Sequence, residues 1–354
     1  MIETGEYKHM NTVYLTITDL QAQQEEIACA GQILREGGLV AIPTETVYGL
    51  GANALDGRAV RKIFEAKGRP QDNPLIVHIA DLEQLAPLIK QIPPSAKLLA
   101  EHFWPGPLTM IFEKADCIPL ETSGGLDTVA VRFPSHPVAQ AVIRAAGVPV
   151  AAPSANLSGK PSPTTARHVR EDMDGKIEMV VDGGECSVGL ESTVITLVGE
   201  HPVLLRPGGV TLEQIRALLP DAQMDPAVEH KLEEGRRAAS PGMKYKHYAP
   251  LARVILVEGS REQYIGYVNS KAGEDVWALC FAEDEDKLKV PALCYGREED
   301  DLAQAKHLFD ALRRFDELGA KTVYAHCPQR TGVGLAVYNR LVRAAGFTIV
   351  RLPR

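Results

Sequence analysis

The stretch from residue 67 to residue 78, KGRPQDNPLIVH, constrains the fold more tightly than any other part of the chain. A helical pattern that begins with Asp56 as its cap stops at Gly68, and a glycine is typical of a helix end. Two prolines stiffen the loop that follows, and the apolar run Leu75–Ala80 predicts a buried strand. For the stretch taken alone, the alternative to a site is a solvated loop. The polar groups that this arrangement would fix in place are Lys67, Arg69, Asn73 and His78.

Other apolar runs also end in polar side chains. Leu39–Ile42 leads into PTET, and Val148–Pro153 leads into SANLSGKPSP, the loop with the densest hydroxyl, amide and lysine content. Open α/β sheets bind ligands beyond the carboxyl ends of their strands, so these loops predict ligand contacts, with polar turns as the alternative. Two further predicted strands end on Arg132 and Arg206. A buried arginine needs an anionic partner, which is either a protein carboxylate or a ligand.

The length of 354 residues predicts about two domains rather than one core. No apolar run approaches the roughly 20 residues that span a bilayer, and the N-terminal sequence lacks the apolar segment of a signal peptide. The six cysteines lie far apart without a C-x-x-C pair, which argues against zinc fingers and a disulfide framework. These features predict a cytoplasmic protein with reduced thiols and no membrane partner.

The charge is uneven along the chain. Residues 1–210 carry a net charge of −8, whereas residues 211–354 are balanced. A chain with this balance is a poor general binder of nucleic-acid backbone. Because the cations of the first part are concentrated in a few loops, the pattern favours a small anionic ligand.

The second part of the chain predicts a separate α/β unit. Residues 221–240 are polar without a clear strand and predict a linker, which ends in the aromatic and basic segment SPGMKYKHYAP. Strands and helices then alternate to the end of the chain. The predicted division is a first domain at 16–211, a linker at 212–250 and a second domain at 251–354.

The motifs of several common enzyme classes are absent from the sequence, among them the phosphate-binding P-loop, the zinc-protease motif and the serine-hydrolase elbow. What remains is a set of strand ends rich in cations and hydroxyls and without an obvious nucleophile. Phosphoryl and nucleotidyl transfer suit such a set, because the protein positions and neutralises its substrates. The set comprises Thr46, Arg69, Asn73, His78, Thr128, Arg132, Ser154, Asn156, Ser192 and Arg206.

Eight motifs in order resemble the Sua5 branch of the YrdC/Sua5 family, the threonylcarbamoyl-AMP synthases. They are PTETVYGLGANA, KGRPQDNPLIVH, WPGPLT, GLDTVAVR, PSANLSGKPSPT, ESTVI, LLRPGG and SPGMKYKHYAP. The resemblance implies an α/β fold with a large twisted mixed sheet in a YrdC-like (double-stranded-RNA-binding-like) domain, a linker, and a smaller Rossmann-like domain. It also implies that L-threonine, bicarbonate and ATP, with Mg²⁺, give threonylcarbamoyl-AMP and pyrophosphate. The product would feed the downstream transferase machinery that forms t6A at position 37 of tRNAs reading ANN codons, so tRNA would be an indirect partner.

The resemblance also implies roles for individual residues. L-Threonine would be held by Thr46, His78, Arg132, Ser192 and the backbone near Ala152. ATP would be held by Lys67, Arg69, Asn73, Thr128, Ser154, Asn156, Ser162 and Arg206, with Tyr245 and Tyr248 closing over it as a lid. No residue is predicted to act as a general base or to bind a metal ion, so catalysis would be positional.

Two other functions compete with this interpretation. A carbamoyl-transfer enzyme of hydrogenase maturation would share the YrdC-like domain, but such chains carry paired C-x-x-C zinc fingers. A non-catalytic RNA-binding module would use the concave basic surface of that domain, and the net charge of −8 in the first 210 residues argues against it. The second domain could regulate the first or dock the next enzyme, and the sequence leaves both open.

Overall fold

The computed structural model describes residues 11–231 and 247–353. The chain builds two sheets, one of eleven strands and one of five. The first sheet contains β1 (Val13–Thr16), β2 (Val40–Ile42), β3 (Gly49–Asn53), β4 (Ile76–His78), β5 (Leu108–Glu113), β6 (Thr128–Arg132), β7 (Val150–Ala151), β8 (Met179–Asp182), β9 (Thr193–Thr196), β10 (Val203–Arg206) and β11 (Gln223–Met224). The second contains β12 (Arg253–Glu258), β13 (Val276–Cys280), β14 (Ala292–Cys294), β15 (Thr322–His326) and β16 (Ile349–Arg351).

Ten α-helices are present among the described residues. Those of the first domain are α1 (Gln24–Arg35), α2 (Gly57–Lys67), α3 (Pro94–Phe103), α4 (Leu120–Ser123), α5 (Pro137–Ala146), α6 (Ala166–Met173) and α7 (Leu212–Leu218). Those of the second are α8 (Arg261–Ser270), α9 (Asp301–Glu317) and α10 (Gly334–Ala344). None of the helices in the described ranges has the length and apolar content to cross a membrane.

The large sheet mixes parallel and antiparallel pairs. Its strand order is β1-β8-β2-β3-β7-β4-β6-β5-β9-β10-β11, with β4 parallel to β6 and antiparallel to β7. The small sheet has the order β14-β13-β15-β12-β16, and all its pairs are parallel. Helices α8 to α10 alternate with its strands along the chain. The predicted fold class, a large mixed sheet followed by a smaller α/β domain, is confirmed.

The helix α2 has the two ends that the sequence predicts. The Asp56 carboxylate accepts a hydrogen bond from the Arg58 backbone N–H at 2.8 Å, which satisfies one of the free donors of the first turn. Gly68 adopts a left-handed conformation with φ of 60°, where a residue with a Cβ is strained. The buried face of the helix, which includes Ile63 and Phe64, packs into the core. This packing fixes the last helical residue, Lys67, on the buried side.

The structure corrects several predicted elements. The sequence pattern predicts a helix from Asp19 to Glu36, but α1 begins at Gln24. The capping box at 81–84, which predicts the start of a helix, is formed but opens only a 3-10 turn. The run Val148–Pro153 contributes a strand of two residues, which pairs with β3 on one side and β4 on the other. Strands β1 and β3 and helices α3, α5 and α6 were not predicted.

The predicted linker at 212–250 is only partly separate from the first domain. Its first residues form α7, which buries Leu212 and Ile215 in the core of the large sheet. Strand β11 then pairs in parallel with β10, although no strand was predicted at 221–240. The described part of this segment, up to residue 231, therefore extends the first sheet.

Candidate functional site

A cleft forms where several strands of the large sheet end. His78 lies opposite Arg132 in the parallel pair β4–β6, so the carboxyl ends of the two strands lie side by side. The antiparallel neighbour β7 places Val150 beside His78 and Ala151 beside Val77, so the loop that follows β7 starts alongside Ile76, at the beginning of β4. The predicted site residues that line the cleft are Thr46, Lys67, Arg69, His78, Arg132, Ala152, Ser154, Asn156, Ser192, Arg206 and Tyr248.

Arg132 is buried at the bottom of this cleft and is held by three protein groups. Its guanidinium lies 2.7 Å from a carboxylate oxygen of Glu45, donates to Thr46 Oγ1 at 2.7 Å and donates to the Gly106 carbonyl at 3.3 Å. Burial alone would raise the pKa of the Glu45 carboxyl, but the Arg132 charge and hydrogen bonds outweigh it and keep that pKa below its usual value. Arg132 is therefore a fixed cation with a protein counter-charge.

His78 is a neutral imidazole in this setting. Burial, and after it the positive charge of Arg132, lower the pKa of His78 to about 3. The ring Nδ1 lies 3.2 Å from the Ile76 carbonyl oxygen, which can only accept a hydrogen bond. At neutral pH His78 can donate or accept hydrogen bonds, but it adds no charge to the cleft.

Lys67 joins the end of α2 to the loop that follows β7. Its ammonium donates to the carbonyls of Ser154 and Asn156, and the Ser154 hydroxyl donates to Asn156 Oδ1 at 2.6 Å. Asn156 in turn donates to the carbonyl of Lys160 at 2.8 Å, which folds the loop back on itself. Burial lowers the pKa of Lys67 well below its usual value. The loop is thus ordered by a lysine that comes from another element.

Ser192 and Arg206 form the opposite wall of the cleft. The Arg206 guanidinium donates to the Ser192 carbonyl at 3.0 Å and to the Ser192 hydroxyl at 3.1 Å. That hydroxyl also lies 2.7 Å from Thr109 Oγ1 on β5. Burial lowers the pKa of Arg206 to about 10, so the residue remains a cation at neutral pH.

Three predicted site residues do not line the cleft. Thr128 begins β6, at the opposite end of the strand from Arg132, and Asn73 is buried in the loop before β4. Ser162 lies behind the cleft wall, where its hydroxyl donates to the Glu191 carboxylate. Tyr245 lies outside the described residues. The ligand roles of all the predicted site residues, these four included, stay predictions.

The two carboxylates of the site were not predicted. Glu45 accompanies Arg132, and Glu191 is buried beside Ser192, where Arg340 of the second domain lies 2.8 Å from it. Burial alone would raise the pKa of Glu191, but Arg340 and Arg206 outweigh it and lower that pKa. Both carboxylates lie inside motifs that were singled out in the sequence. Glu45 could have been found by looking in the polar strand-end motifs for a carboxylate that balances Arg132. The partner of Glu191 is too distant in sequence to find in this way.

Tyr248 borders the cleft from the segment that leads into the second domain. Its side chain is buried and its backbone has φ of 64°, a conformation unusual for a bulky residue. The ring lies 5.2 Å from that of Phe309 in α9, measured between centroids. Tyr248 therefore connects the cleft to the second domain.

The cleft as a whole can bind an anionic substrate and orient it. Its cations come from three different elements, and its hydroxyls and backbone groups lie between them. In the ranges that the structure describes, no group of three or more histidine, cysteine, aspartate or glutamate side chains is arranged to hold a metal ion. Such a site stabilises charge by position rather than by forming covalent bonds to its substrate.

Two family models match adjoining parts of the chain. The Sua5/YciO/YrdC model, described as telomere recombination, matches residues 32–208, and the threonylcarbamoyl-AMP synthase C-terminal domain model matches residues 210–346. The chain is 49% identical to the threonylcarbamoyl-AMP synthase of Pyrococcus abyssi, over 96% of this chain and 100% of that one. It is 48% identical to the synthase of Bacillus subtilis, over 96% and 98%.

The chain belongs to the Sua5 family of threonylcarbamoyl-AMP synthases. The crystal structure of Pyrococcus abyssi Sua5 complexed with L-threonine is similar to it, with a TM-score of 0.87, 46% identity, and coverage of 97% of this chain and 99% of that one. A variant of the same protein with two alanine substitutions has a TM-score of 0.89 at 46% identity, over 96% and 98%. The family that the eight motifs predict is confirmed, and the Sua5 fold extends over both domains.

Proposed function

We propose that this chain converts L-threonine, bicarbonate and ATP into threonylcarbamoyl-AMP and pyrophosphate. The observation that carries the proposal is the meeting of Arg132, His78, Ser192 and Arg206 in one cleft of a Sua5-family chain. A fixed guanidinium suits a substrate carboxylate, and a cationic wall suits a triphosphate.

Threonine would bind at the bottom of the cleft. Arg132 would share its guanidinium between Glu45 and the amino-acid carboxylate, since its outer nitrogens carry more than one N–H each. Thr46, Ser192 and the backbone near Ala152 would contact the rest of the amino acid. His78 would take part as a neutral hydrogen-bonding group, because its pKa of about 3 keeps the imidazole uncharged.

ATP would lie along the cationic wall. Arg69 and Arg206 would face its phosphates, Lys67 and Asn156 would order the loop beside it, and Ser154 would offer its hydroxyl. Further contacts are proposed for Asn73, Thr128, Ser162, Tyr245 and Tyr248. Mg²⁺ would be held by the phosphates, since the site's carboxylates are already paired with Arg132 and Arg340.

The reaction would need two steps. The threonine amine and bicarbonate give a carbamate with loss of water, and a carbamate oxygen then forms a bond to the α-phosphorus of ATP. The bond from that phosphorus to the β-phosphate oxygen breaks, and pyrophosphate leaves with its electron pair. The protein would place the two substrates in line and neutralise the charge on the phosphates, while Mg²⁺ would support the leaving group.

The product would pass to the transferase machinery that forms t6A on tRNA, in the cytoplasm. The second candidate function, RNA binding without catalysis, is disfavoured by the net charge of −8 in the first 210 residues. Salt-sensitive tRNA binding without ATP turnover would favour it instead.

The proposal is tested by measuring pyrophosphate release from ATP with threonine and bicarbonate added singly and together. We expect release only when both are present. Arg132→Ala should lower kcat/KM for threonine by roughly 30- to 150-fold, the effect of losing a charge-assisted contact worth about 2–3 kcal/mol. The matched control is Arg144→Ala, which removes a half-exposed arginine that pairs with Asp81 on the surface. Release that is indifferent to threonine would contradict the proposed reaction.

A further inference from the structure

Arg340 of the second domain is completely buried against the first domain. Its Nε donates to the Glu191 carboxylate at 2.8 Å, and one terminal nitrogen donates to the Pro207 carbonyl at 2.7 Å. The other terminal nitrogen donates to the Glu191 carbonyl at 3.1 Å. All three guanidinium nitrogens therefore hold two loops of the first domain, those that follow β8 and β10.

These two loops carry cleft residues. Ser192 follows Glu191 directly, and Arg206, which donates to Ser192, precedes Pro207 directly. The second oxygen of the Glu191 carboxylate accepts from the Ser162 hydroxyl. Glu191 thus contacts Ser162, adjoins Ser192 and reaches Arg206 through Ser192, and the proposed function gives all three a substrate role.

Arg340 also lies close to Tyr248. The guanidinium carbon is 5.8 Å from the centre of the Tyr248 ring, within the range of a cation–π contact. The Tyr248 ring also lies 5.2 Å from the ring of Phe309 in α9, so two residues of the second domain lie beside the tyrosine. One arginine therefore contacts both the wall of the cleft and the tyrosine at its mouth.

We propose that Arg340 is a positioning residue through which the second domain sets the geometry of the substrate cleft. The inference rests on the proposed function, because it concerns the same cleft. Arg340 lies outside the group of residues that touch substrate and acts through Glu191, which it keeps ionised and oriented. The ionised Glu191 carboxylate accepts the hydrogen bond of the Ser162 hydroxyl. The contacts of Arg340 with the two loops keep Ser192 and Arg206 in their positions.

Removal of the Arg340 charge would change how Glu191 titrates. The carboxyl is buried, so without Arg340 its pKa would rise and the group would bind a proton as the pH falls. Arg206 and Lys67 are further cations whose charges act on Glu191, and Arg206 keeps its charge at neutral pH because its pKa is about 10. The protonated carboxyl would lose its hold on the Ser162 hydroxyl. If Arg340 only stabilised the fold, this titration would change stability with pH and leave the KM values of the substrates unchanged.

The experiment compares steady-state kinetics of full-length Arg340→Met, Arg340→Lys and wild type, with threonine and ATP varied separately. For Arg340→Met we expect the KM values of both substrates to rise by about tenfold or more, as for other partners that orient binding residues. Its kcat/KM should also fall as the pH is lowered from about 8 to about 6, where wild type stays level. Arg340→Lys keeps a cation without the three-way contacts, so its pH profile should match wild type while its KM values lie in between.

Two further variants complete the test. Arg340→Met combined with Glu191→Gln has no buried carboxyl to titrate, so the pH dependence should disappear while the KM values stay high. Arg167→Met is the matched control, because Arg167 pairs with Glu317 across the same two domains at 2.9 Å but does not contact Glu191. If Arg340→Met is too unstable to purify, the KM values of Arg340→Lys alone test the inference.

The outcomes separate this inference from the proposed function. A wild-type enzyme that makes threonylcarbamoyl-AMP, together with Arg340 variants whose KM values equal those of Arg167→Met, would overturn the positioning role alone. A wild-type enzyme that releases no pyrophosphate with threonine and bicarbonate would instead overturn the proposed function. Raised KM values with the expected pH profile support the inference.

Discussion

Arg132 already has a counter-charge within the protein, the Glu45 carboxylate. A substrate carboxylate that binds Arg132 would therefore share this cation with Glu45. The two side chains are buried and lie 2.7 Å apart. We predict that Glu45→Gln lowers the free energy of unfolding by about 2–4 kcal/mol, because it leaves Arg132 buried without its counter-charge. Threonine should then raise the melting temperature more in this variant than in wild type, since its carboxylate restores the missing charge.

The control for this prediction is Glu121→Gln, which removes a half-exposed partner of Arg61. Thermal unfolding with and without threonine is the measurement. An equal threonine-induced shift in Glu45→Gln and wild type would show that the amino-acid carboxylate does not meet Arg132.

The neutral state of His78 makes stability depend on pH. Its pKa is about 3 in the folded chain, below the value of about 6.5 in an unfolded chain, so the unfolded state binds the proton first. Stability from this group is complete above about pH 6.5 and is lost at about 1.4 kcal/mol per pH unit as the pH falls toward 3. We predict that His78→Gln loses less stability than wild type between pH 7 and about pH 4. Urea unfolding at several pH values measures this, and parallel losses in the two proteins would contradict it.

A site residue could be predicted from the sequence when the residues that reveal it are its neighbours along the chain. Arg132, His78 and Ser154 each stand at the end of an apolar run, so their neighbours in sequence reveal them. The interaction of Glu191 with Arg340 joins residues 149 positions apart, and no local pattern contains it. The sequence therefore indicates the polar lining of the cleft, whereas the charge pairs behind the lining require the tertiary fold.

At the scale of elements, glycine made one helix end predictable from the sequence and one strand unpredictable. Gly68 marks the end of α2 because a left-handed residue ends a helix. Strand β3, with the sequence GLGAN, was not predicted because glycine is rare in strands. Gly51 has to be small, since a Cβ there would lie 2.9 Å from the Val150 side chain and 3.1 Å from the Val40 carbonyl.

Two glycine substitutions should act in opposite directions. Gly68 has φ of 60° and Gly266 lies inside α8, and a Cβ would meet no atom within 4 Å at either position. Gly68→Ala should therefore lose about 1 kcal/mol through backbone strain, and Gly266→Ala should gain up to about 1 kcal/mol through helix propensity. Denaturant midpoints with equal m-values measure both changes. Shifts of the two denaturant midpoints in the same direction would contradict the backbone strain that we assign to a Cβ at Gly68.

At the scale of the whole molecule, charged pairs join the two domains. Besides Arg340, the buried Arg313 of α9 lies 2.7 Å from the buried Asp172 carboxylate of α6 and donates to the Pro161 carbonyl at 2.7 Å. Lys160, which lines the cleft, is 2.9 Å from the same carboxylate. The second domain thus supports the cleft from behind at two places, one through Glu191 and one through Asp172.

This arrangement predicts strong coupling between Arg313 and Asp172. Arg313→Met should lower the free energy of unfolding by about 2–4 kcal/mol, because Asp172 stays buried with Lys160 as its remaining cation. Asp172→Asn should cost a similar amount, and the double variant should cost about 1–3 kcal/mol less than the sum of the two. The same cycle at the exposed pair Arg167 and Glu317 should give a coupling of at most about 1 kcal/mol. Equal coupling energies in the two cycles would mean that burial of Asp172 adds nothing to the attachment of the second domain. The second domain would then support the cleft through Arg340 alone.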